Sequence, residues 1–302
     1  MENIRELKNF KDHILRVTAA NGMIRAFFAT TKNTVNTAVD THQTSAVMSA
    51  ALGRLLTAGS IMGTMLKNDR DLITLMIKGD GPGVGVLVTA DNKGHVKGYA
   101  DNPYADLANK ENGKLDVGGA LGNGTLTVIK DMGKGDPHNG TVELQTGEVA
   151  DDITYYFAQS EQTPSVVSLG VLVDTDYTIK QAGGFIIQLM PGATDDVIDY
   201  LEQKIDGIDS ITNLYEQGYT PESLAEFLFA DIGYEKLERI PVSFVCDCTR
   251  ERVEKALLSV GEKELTEIRD EDKTTTLSCQ FCNKQYKFDE DDLDELIEKS
   301  KK

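Results

Sequence analysis

The chain has 302 residues and a formal net charge of −18 at pH 7. This length accommodates about two domains, and the acidic charge argues against nucleic acid or an anionic membrane as the main partner. The N-terminus lacks the pattern of a secretory signal, and the four cysteines are too few and too clustered for a secreted disulfide scaffold. We therefore expect a cytoplasmic protein.

The longest apolar segment, residues 45–66, predicts a helix. It is long enough to span a bilayer, and Gly59 and Gly63 have the spacing of a membrane helix contact. However, Arg54 lies near its middle, and its Ala, Ser, Thr and Gly residues keep its hydrophobicity modest. We interpret it as a buried helix of a soluble core, whose small residues allow close packing.

The rest of the N-terminal part alternates strands and turns. Runs rich in β-branched and aromatic residues predict strands at residues 23–30, 72–77, 84–89, 96–99, 126–129, 141–144, 165–173 and, as a last buried strand, 185–190. Residues 151–159 are predicted to be helical. Together these elements predict an α+β core domain over residues 1–193, with a mostly antiparallel sheet.

Glycine marks the predicted turns. Residues 79–85 have the glycine content of a phosphate-binding loop, but neither a helix pattern nor a lysine follows, so we predict a hairpin turn. Asn-Gly dipeptides begin at Asn112, Asn123 and Asn139, where we expect tight turns with positive φ. The last two also match glycosylation sequons, which we expect to be plain turns in a cytoplasmic protein.

After residue 193 the pattern becomes helical. Thr194 is a predicted N-cap, and a second helix begins at Thr220-Pro221-Glu222, with Pro at the first helical position. No strand pattern occurs between residues 194 and 239, so residues 194–240 are predicted to be an amphipathic helical linker. The apolar face of its second helix contains Leu224, Phe227, Leu228 and Ile232. Phe227→Asp is therefore predicted to disturb the packing of the linker.

All four cysteines lie in the predicted C-terminal domain, residues 241–302, as Cys246-Asp247-Cys248 and Cys279-Gln280-Phe281-Cys282. Two short pairs can supply four sulfurs to one tetrahedral site, and zinc is the ion that such a site prefers. A module this small buries little apolar surface, so a bound metal is expected to supply most of its stability. Between the pairs, residues 252–259 are predicted to be helical, and an acidic run at residues 289–292 precedes a final amphipathic helix.

Such a site has three possible uses. Four cysteines leave no open position for water, so a zinc enzyme is disfavoured. A passive structural zinc in an adaptor that binds a protein partner is the alternative interpretation. The third is a redox switch: oxidation of the thiolates removes the ligands, releases zinc and exposes a linker that packs only while the module is folded. The histidines, His13, His42, His95 and His138, show no paired ligand spacing, and no catalytic or cofactor-binding set stands out.

Several motifs together resemble the redox-regulated 33 kDa chaperonin family, bacterial heat-shock holdases activated by oxidation. They occur in order over essentially the whole chain, and they are His42-Gln43-Thr44-Ser45, Ala50-Ala51-Leu52-Gly53-Arg54, Lys78-Gly79-Asp80-Gly81-Pro82, Gly118-Gly119-Ala120-Leu121-Gly122, Ser160-Glu161-Gln162-Thr163-Pro164-Ser165, the run from Ala182 to Gly192, and the C-x-C and C-x-x-C pairs. The cysteine pattern is the most specific of them.

The resemblance implies a core domain, a metastable linker and a zinc domain. By position, Cys246, Cys248, Cys279 and Cys282 would ligate one zinc ion in the reduced state. Oxidation would give the disulfides Cys246–Cys248 and Cys279–Cys282. The resemblance also implies an active homodimer that binds unfolding proteins under stress without ATP, with no enzymatic activity and no nucleic-acid or membrane partner.

Overall fold

A computed structural model of the chain describes residues 12–208 and 210–300. The strands in chain order are β1 His13–Ala19, β2 Ile24–Thr30, β3 Leu72–Gly79, β4 Gly85–Asp91, β5 His95–Ala100, β6 Gly124–Asp131, β7 His138–Glu143, β8 Ser165–Val173, β9 Ile179–Leu189, β10 Tyr234–Pro241, β11 Ser243–Phe244, β12 Thr275–Ser278 and β13 Gln285–Phe288. The α-helices are α1 Lys32–His42, α2 Ala46–Gly63, α3 Val117–Leu121, α4 Ala150–Gln159, α5 Asp195–Asp206, α6 Ile211–Glu216, α7 Pro221–Phe229, α8 Arg250–Leu258, α9 Glu262–Asp272 and α10 Glu290–Ser300.

The chain forms two compact units, which divide between Val245 and Cys246. The larger unit contains a five-stranded sheet of order β10-β1-β2-β9-β8 and a six-stranded sheet of order β11-β5-β4-β3-β6-β7. All neighbouring strands are antiparallel except the short parallel pair β11–β5. The α+β fold with mostly antiparallel sheets is therefore confirmed.

The predicted long helix is α2, and it contacts strands of both sheets. Its length and composition would suit a membrane span, but 89 % of it is buried inside the protein. Glycines allow this packing, because a Cβ on Gly59 would lie 2.7 Å from a methyl group of Val88. The charge of Arg54 is neutralised by Glu148, whose carboxylate lies 2.6 Å away. The interpretation as a buried core helix is confirmed.

The five-stranded sheet is buried on both faces. Successive residues of a strand point to opposite faces, so Phe27 packs in the core around α2 whereas Phe28 packs on the other face. That second face is covered by α5, α6 and α7, which contribute Leu201, Ile211, Tyr215, Leu224, Ala225, Leu228 and Phe229. The helices predicted at Thr194 and Thr220 are thus confirmed, with α6 as an additional short helix between them.

The predicted apolar face of α7 is wrong at one position, Phe227. Its side chain is 41 % exposed, whereas Phe229 is fully buried and lies edge-on to Phe28 with ring centroids 5.9 Å apart. Phe227 instead lies edge-on to Tyr219 at the surface, with ring centroids 6.0 Å apart. The helical spacing alone could not decide which edge of the apolar face meets the sheet.

The prediction that no strand occurs between residues 194 and 239 is wrong, whereas the buried strand predicted at residues 185–190 is confirmed as the end of β9. Strand β10 begins at Tyr234 and pairs with β1 along its whole length. It lies at the edge of the sheet and is largely exposed and charged, as edge strands often are. It therefore lacks the apolar alternation by which buried strands are recognised.

Two of the three Asn-Gly predictions are also wrong. Gly113 lies in a turn with φ of 78°, as expected. By contrast, Gly124 begins β6 and Gly140 lies inside β7. These glycines permit close approach, because a Cβ on Gly140 would lie 2.9 Å from the ring of Tyr156. The hairpin predicted around residues 79–85 is confirmed by the antiparallel pair β3–β4.

The smaller unit contains α8, the hairpin β12–β13, α9 and α10. Its core consists of seven buried side chains, Leu257, Leu265, Tyr286, Phe288, Leu293, Leu296 and Ile297. The predicted helix near residues 252–259 and the acidic first turn of the last helix are confirmed, whereas α9 was not predicted.

Candidate metal centre

The four cysteines meet at one point of the smaller unit. Their sulfurs all lie within 4.8 Å of one another, and each side chain is half-buried. The Sγ atoms of Cys246 and Cys279 are 3.7 Å apart, and those of Cys248 and Cys282 are 3.3 Å apart. The structure thus brings together all four predicted ligand residues.

Two local structures position these sulfurs. Cys279 and Cys282 lie in the turn between β12 and β13, where the Cys279 N–H donates to the Lys284 carbonyl at 3.0 Å. The Asn283 N–H donates to the Cys279 carbonyl at 2.8 Å, and Asn283 has a left-handed φ of 56°. The C-x-x-C spacing of Cys279 and Cys282 suits such a knuckle turn, so pattern and structure agree here.

The first pair lies in an irregular segment immediately before α8. The spacing of two residues between Cys246 and Cys248 predicts a strand-like backbone, which would point both sulfurs to one side, but both cysteines lie outside any strand. Thr249 caps α8 by accepting a hydrogen bond from the Arg252 N–H at 3.3 Å. The helix start therefore fixes the backbone directly after Cys248.

Tyr286 supports the site, although no sequence pattern identified it as a site residue. Its hydroxyl donates to the Cys248 carbonyl at 2.9 Å and lies 3.3 Å from the Cys248 sulfur. Its position in β13, two residues from buried Phe288, marks it only as a core residue. Burial opposes ionisation of Cys248, but the hydrogen bonds from Tyr286 and Cys282 outweigh it and lower the pKa of this thiol to about 7. For Cys246, burial is the main cause that raises the pKa.

The geometry fits a four-coordinate metal ion. With Zn–S bonds of about 2.3 Å, the edges of a tetrahedral four-sulfur site measure about 3.8 Å. The sulfur separations of 3.7 and 3.3 Å are close to this value. Among residues 12–208 and 210–300, no histidine or carboxylate joins the cluster. The four cysteines could therefore bind one metal ion without another protein ligand.

Fold and site together define a two-unit α+β protein with a C-terminal module in which four clustered cysteines could bind a metal ion. The family model described as "Hsp33 protein" matches residues 12–289. The chain therefore belongs to the Hsp33 family, a family of chaperonins rather than of enzymes.

Individual relatives agree with this assignment. A 33 kDa chaperonin of Agathobacter rectalis is 53 % identical over 285 residues, covering 94 % of this chain and 99 % of the relative. A 33 kDa chaperonin of Lachnoclostridium phytofermentans is 50 % identical over 289 residues, covering 96 % of this chain and 99 % of the relative. The crystal structure of the 33 kDa chaperonin from Thermotoga maritima matches with a TM-score of 0.88 at 34 % identity, covering 96 % of this chain and 98 % of that chain.

Proposed function

We propose that this protein is a redox-regulated, ATP-independent chaperone. The reduced, zinc-bound protein is inactive, and the oxidised protein binds unfolding client proteins. Membership of the Hsp33 family supports the chaperone part. The observation that carries the redox part is a cluster of four thiols in a unit whose apolar core has only seven buried side chains.

In the reduced state Cys246, Cys248, Cys279 and Cys282 hold one Zn²⁺ per chain. Four thiolates suit zinc and leave no open position for catalysis. The bound ion supplies folding free energy, which is about 10–16 kcal/mol for structural zinc in small zinc-finger peptides. The cysteines thus act as structural ligands, and their loss destabilises the smaller unit.

Oxidation converts these ligands into two disulfides, Cys246–Cys248 and Cys279–Cys282. In each pair, two zinc-bound thiolates lose one electron each and form one S–S bond, and the zinc ion is released. One hydrogen peroxide accepts the two electrons, takes up two protons from the solvent and leaves as two molecules of water, so two peroxides oxidise one chain. The sulfurs of a disulfide are no longer thiolates and therefore cease to be metal ligands.

We divide the chain into a core domain, residues 1–193, a linker, residues 194–240, and a zinc domain, residues 241–302. The linker is the segment that the switch releases. Helices α5–α7 bury apolar side chains such as Leu224, Leu228 and Phe229 against one face of the five-stranded sheet. If folding of the zinc domain stabilises this packing, oxidation releases the helices and exposes apolar surface. Such surface binds unfolding proteins without a nucleotide.

We further propose that the active form is a homodimer in the bacterial cytoplasm that binds aggregation-prone clients. The relatives that support this setting are bacterial 33 kDa chaperonins. The net charge of −18 disfavours nucleic acid as an alternative partner.

The proposal is tested by measuring zinc content and client aggregation on the same samples before and after peroxide with mild warming. We expect one zinc per reduced chain, loss of zinc on oxidation, and suppressed aggregation of a denatured client by the oxidised sample alone. Unchanged aggregation after confirmed zinc loss would reject the switch. Client binding by the reduced, zinc-loaded chain would instead support the adaptor.

A further inference from the structure

A cavity of about 210 Å³ lies in the larger unit, at the C-terminal end of α2. One side of it is apolar and is lined by Met62, Met65, Leu66, Ile73 and Phe157. The other side is polar and is lined by Arg25, Lys130, Glu161, Thr163 and Gln188. The cavity is far from the cysteines in sequence, and the chaperone function assigns it no role.

The polar side carries one uncompensated positive charge. Lys130 and Glu161 form an ion pair with an N···O distance of 2.5 Å, so their charges balance. Arg25 has no such partner: among residues 12–208 and 210–300, its guanidinium forms hydrogen bonds only with the neutral side chain of Gln188. A half-buried guanidinium without a carboxylate is unusual, because its desolvation is not offset by an opposite charge.

The guanidinium is held in a fixed orientation. Arg25 Nε and one terminal nitrogen donate to the Gln188 side-chain oxygen at 3.2 and 2.6 Å. Gln188 is 1 % exposed, and its amide nitrogen donates to Ser165 Oγ at 3.2 Å. A guanidinium has five N–H donors, so three of them remain for a ligand. The arrangement resembles the way in which arginine presents paired donors to a carboxylate.

A second arginine lies close to Arg25, but its charge is balanced by Glu238, whose carboxylate is 3.5 Å from the Arg16 guanidinium. Arg16 and Arg25 both lie over the ring of Phe27, with guanidinium carbons 5.4 and 5.6 Å from its centroid. Burial, followed by repulsion from Arg16, lowers the pKa of Arg25. An anion in the cavity would offset this shift, because an opposite charge nearby favours the charged form of the guanidinium.

We propose that this cavity binds a small organic carboxylate, with its carboxylate on Arg25 and a short apolar tail against Met62 and Met65. A volume of 210 Å³ corresponds to about seven waters at ~30 Å³ each. A ligand with about as many non-hydrogen atoms, such as a five-carbon acid, therefore fits. An inorganic oxyanion would match the guanidinium but would leave the apolar side unused.

Methionine methyl NMR tests this assignment on the full-length reduced chain. With ¹³C-methyl methionine, sodium pentanoate should shift the Met62 and Met65 resonances saturably and leave those of Met48 and Met190 unchanged. Pentanamide, which has the same shape without the charge, should bind at least about tenfold more weakly. Inorganic phosphate should also bind more weakly, because it makes no contact with the methionines.

Matched variants assign the effect to one residue. Arg25→Gln should weaken pentanoate binding at least about tenfold, whereas Arg70→Gln, the same change in an exposed loop, should not alter it. If Arg25→Gln does not fold, the comparison of pentanoate with pentanamide on the native chain still tests whether binding requires the negative charge of the ligand. Either of two results would overturn the proposal. Absence of a saturable shift at Met62 and Met65 would show that the acid does not bind in the cavity, and equal binding of the acid, the amide and phosphate would show that Arg25 does not select a carboxylate.

Discussion

The two units of this protein are stabilised by different means. The larger unit buries two sheets and the long helix α2 in extensive apolar clusters, which are sufficient to fold a domain of its length. The smaller unit has seven buried apolar side chains and one four-cysteine cluster that joins segments 33 residues apart in the chain, such as Cys246 and Cys279. A unit with so small a core would depend on the zinc ion that we propose, and its folding would then depend on the redox state of the thiolates that bind this ion.

Removal of one metal ligand should show the largest difference between the units. Cys279→Ser is expected to weaken zinc binding, to unfold the smaller unit in reductant, and to leave the linker partly exposed. The β1–β2–β9 part of the core should remain intact, because its packing does not involve the cysteines. Hydrogen exchange of the reduced variant measures both units in one experiment.

The matched control for this variant is Ser278→Ala, an adjacent exposed serine at the end of β12. It should retain zinc and native protection. If reduced Cys279→Ser keeps its zinc and gains no client binding, the coupling between metal and linker is wrong.

A pair of phenylalanines tests the packing of the linker on the larger unit. Phe229 is fully buried and Phe227 is 41 % exposed. Phe229→Ala should therefore lower the free energy of unfolding by about 3–5 kcal/mol, and Phe227→Ala by less than about 1 kcal/mol. Thermal or denaturant unfolding of the two reduced, zinc-bound variants provides the comparison.

The variants Phe229→Ala and Phe227→Ala should also differ in chaperone activity, with the larger effect again expected for Phe229→Ala. Phe229→Ala is expected to suppress client aggregation at lower oxidant concentration than the native chain, and Phe227→Ala to behave like the native chain. Equal activation of both variants would argue against release of α7 as the output of the switch.

Acid should weaken the attachment of α7 through Glu222. Burial opposes ionisation of Glu222, but the hydrogen bond from His13 at 3.0 Å and the charge of Arg239 outweigh it and lower the pKa of this carboxyl to about 2. Because the folded pKa lies below the ordinary value of 4.5, this contribution is fully present above pH 4.5 and is lost as the pH falls toward 2.

The variant Glu222→Gln measures how much Glu222 contributes to stability. After allowance for solvent screening, we expect Glu222 to contribute about 1–2 kcal/mol. Glu222→Gln should destabilise the larger unit at neutral pH and reduce its loss of stability between pH 4.5 and 2. Identical pH profiles of the native chain and the variant would contradict the ion-pair account.

The smallest expected effect concerns the start of α7. Thr220 Oγ1 accepts a hydrogen bond from the Ser223 N–H at 3.2 Å, which caps the helix. Thr220→Ala should therefore lower the stability of the linker by about 1 kcal/mol. Hydrogen exchange of α7 amides measures this change, and Thr220→Ser, which keeps the hydroxyl, should restore the native protection.

The sequence predicted those parts of the molecule that depend on local pattern or on ligand chemistry. The four cysteines were identifiable because few residue types bind zinc and because their spacing is restricted. The apolar runs of β9 and α2 were identifiable because both elements are buried over most of their length.

Elements held by distant contacts were missed. Helix α1 is rich in Asn and Thr, which form helices poorly, and its first N–H groups are capped by Asp12. The Asp12 carboxylate accepts hydrogen bonds from the Asn33 and Thr34 N–H groups at 3.2 and 2.6 Å. Strand β10 exists because β1 pairs with it, and the partner of Arg25, Gln188, lies 163 positions away. No short-range sequence pattern predicts such contacts, because the residues that form them lie far apart in the chain.

Hydrogen exchange before and after peroxide, on samples assayed for zinc, tests the central claim most directly. The account predicts that oxidation removes zinc and abolishes protection in α8–α10 and α5–α7, while amides of β2 and β9 stay protected. Loss of zinc with full protection retained in α5–α7 would contradict it, because the metal would then have no effect on the linker.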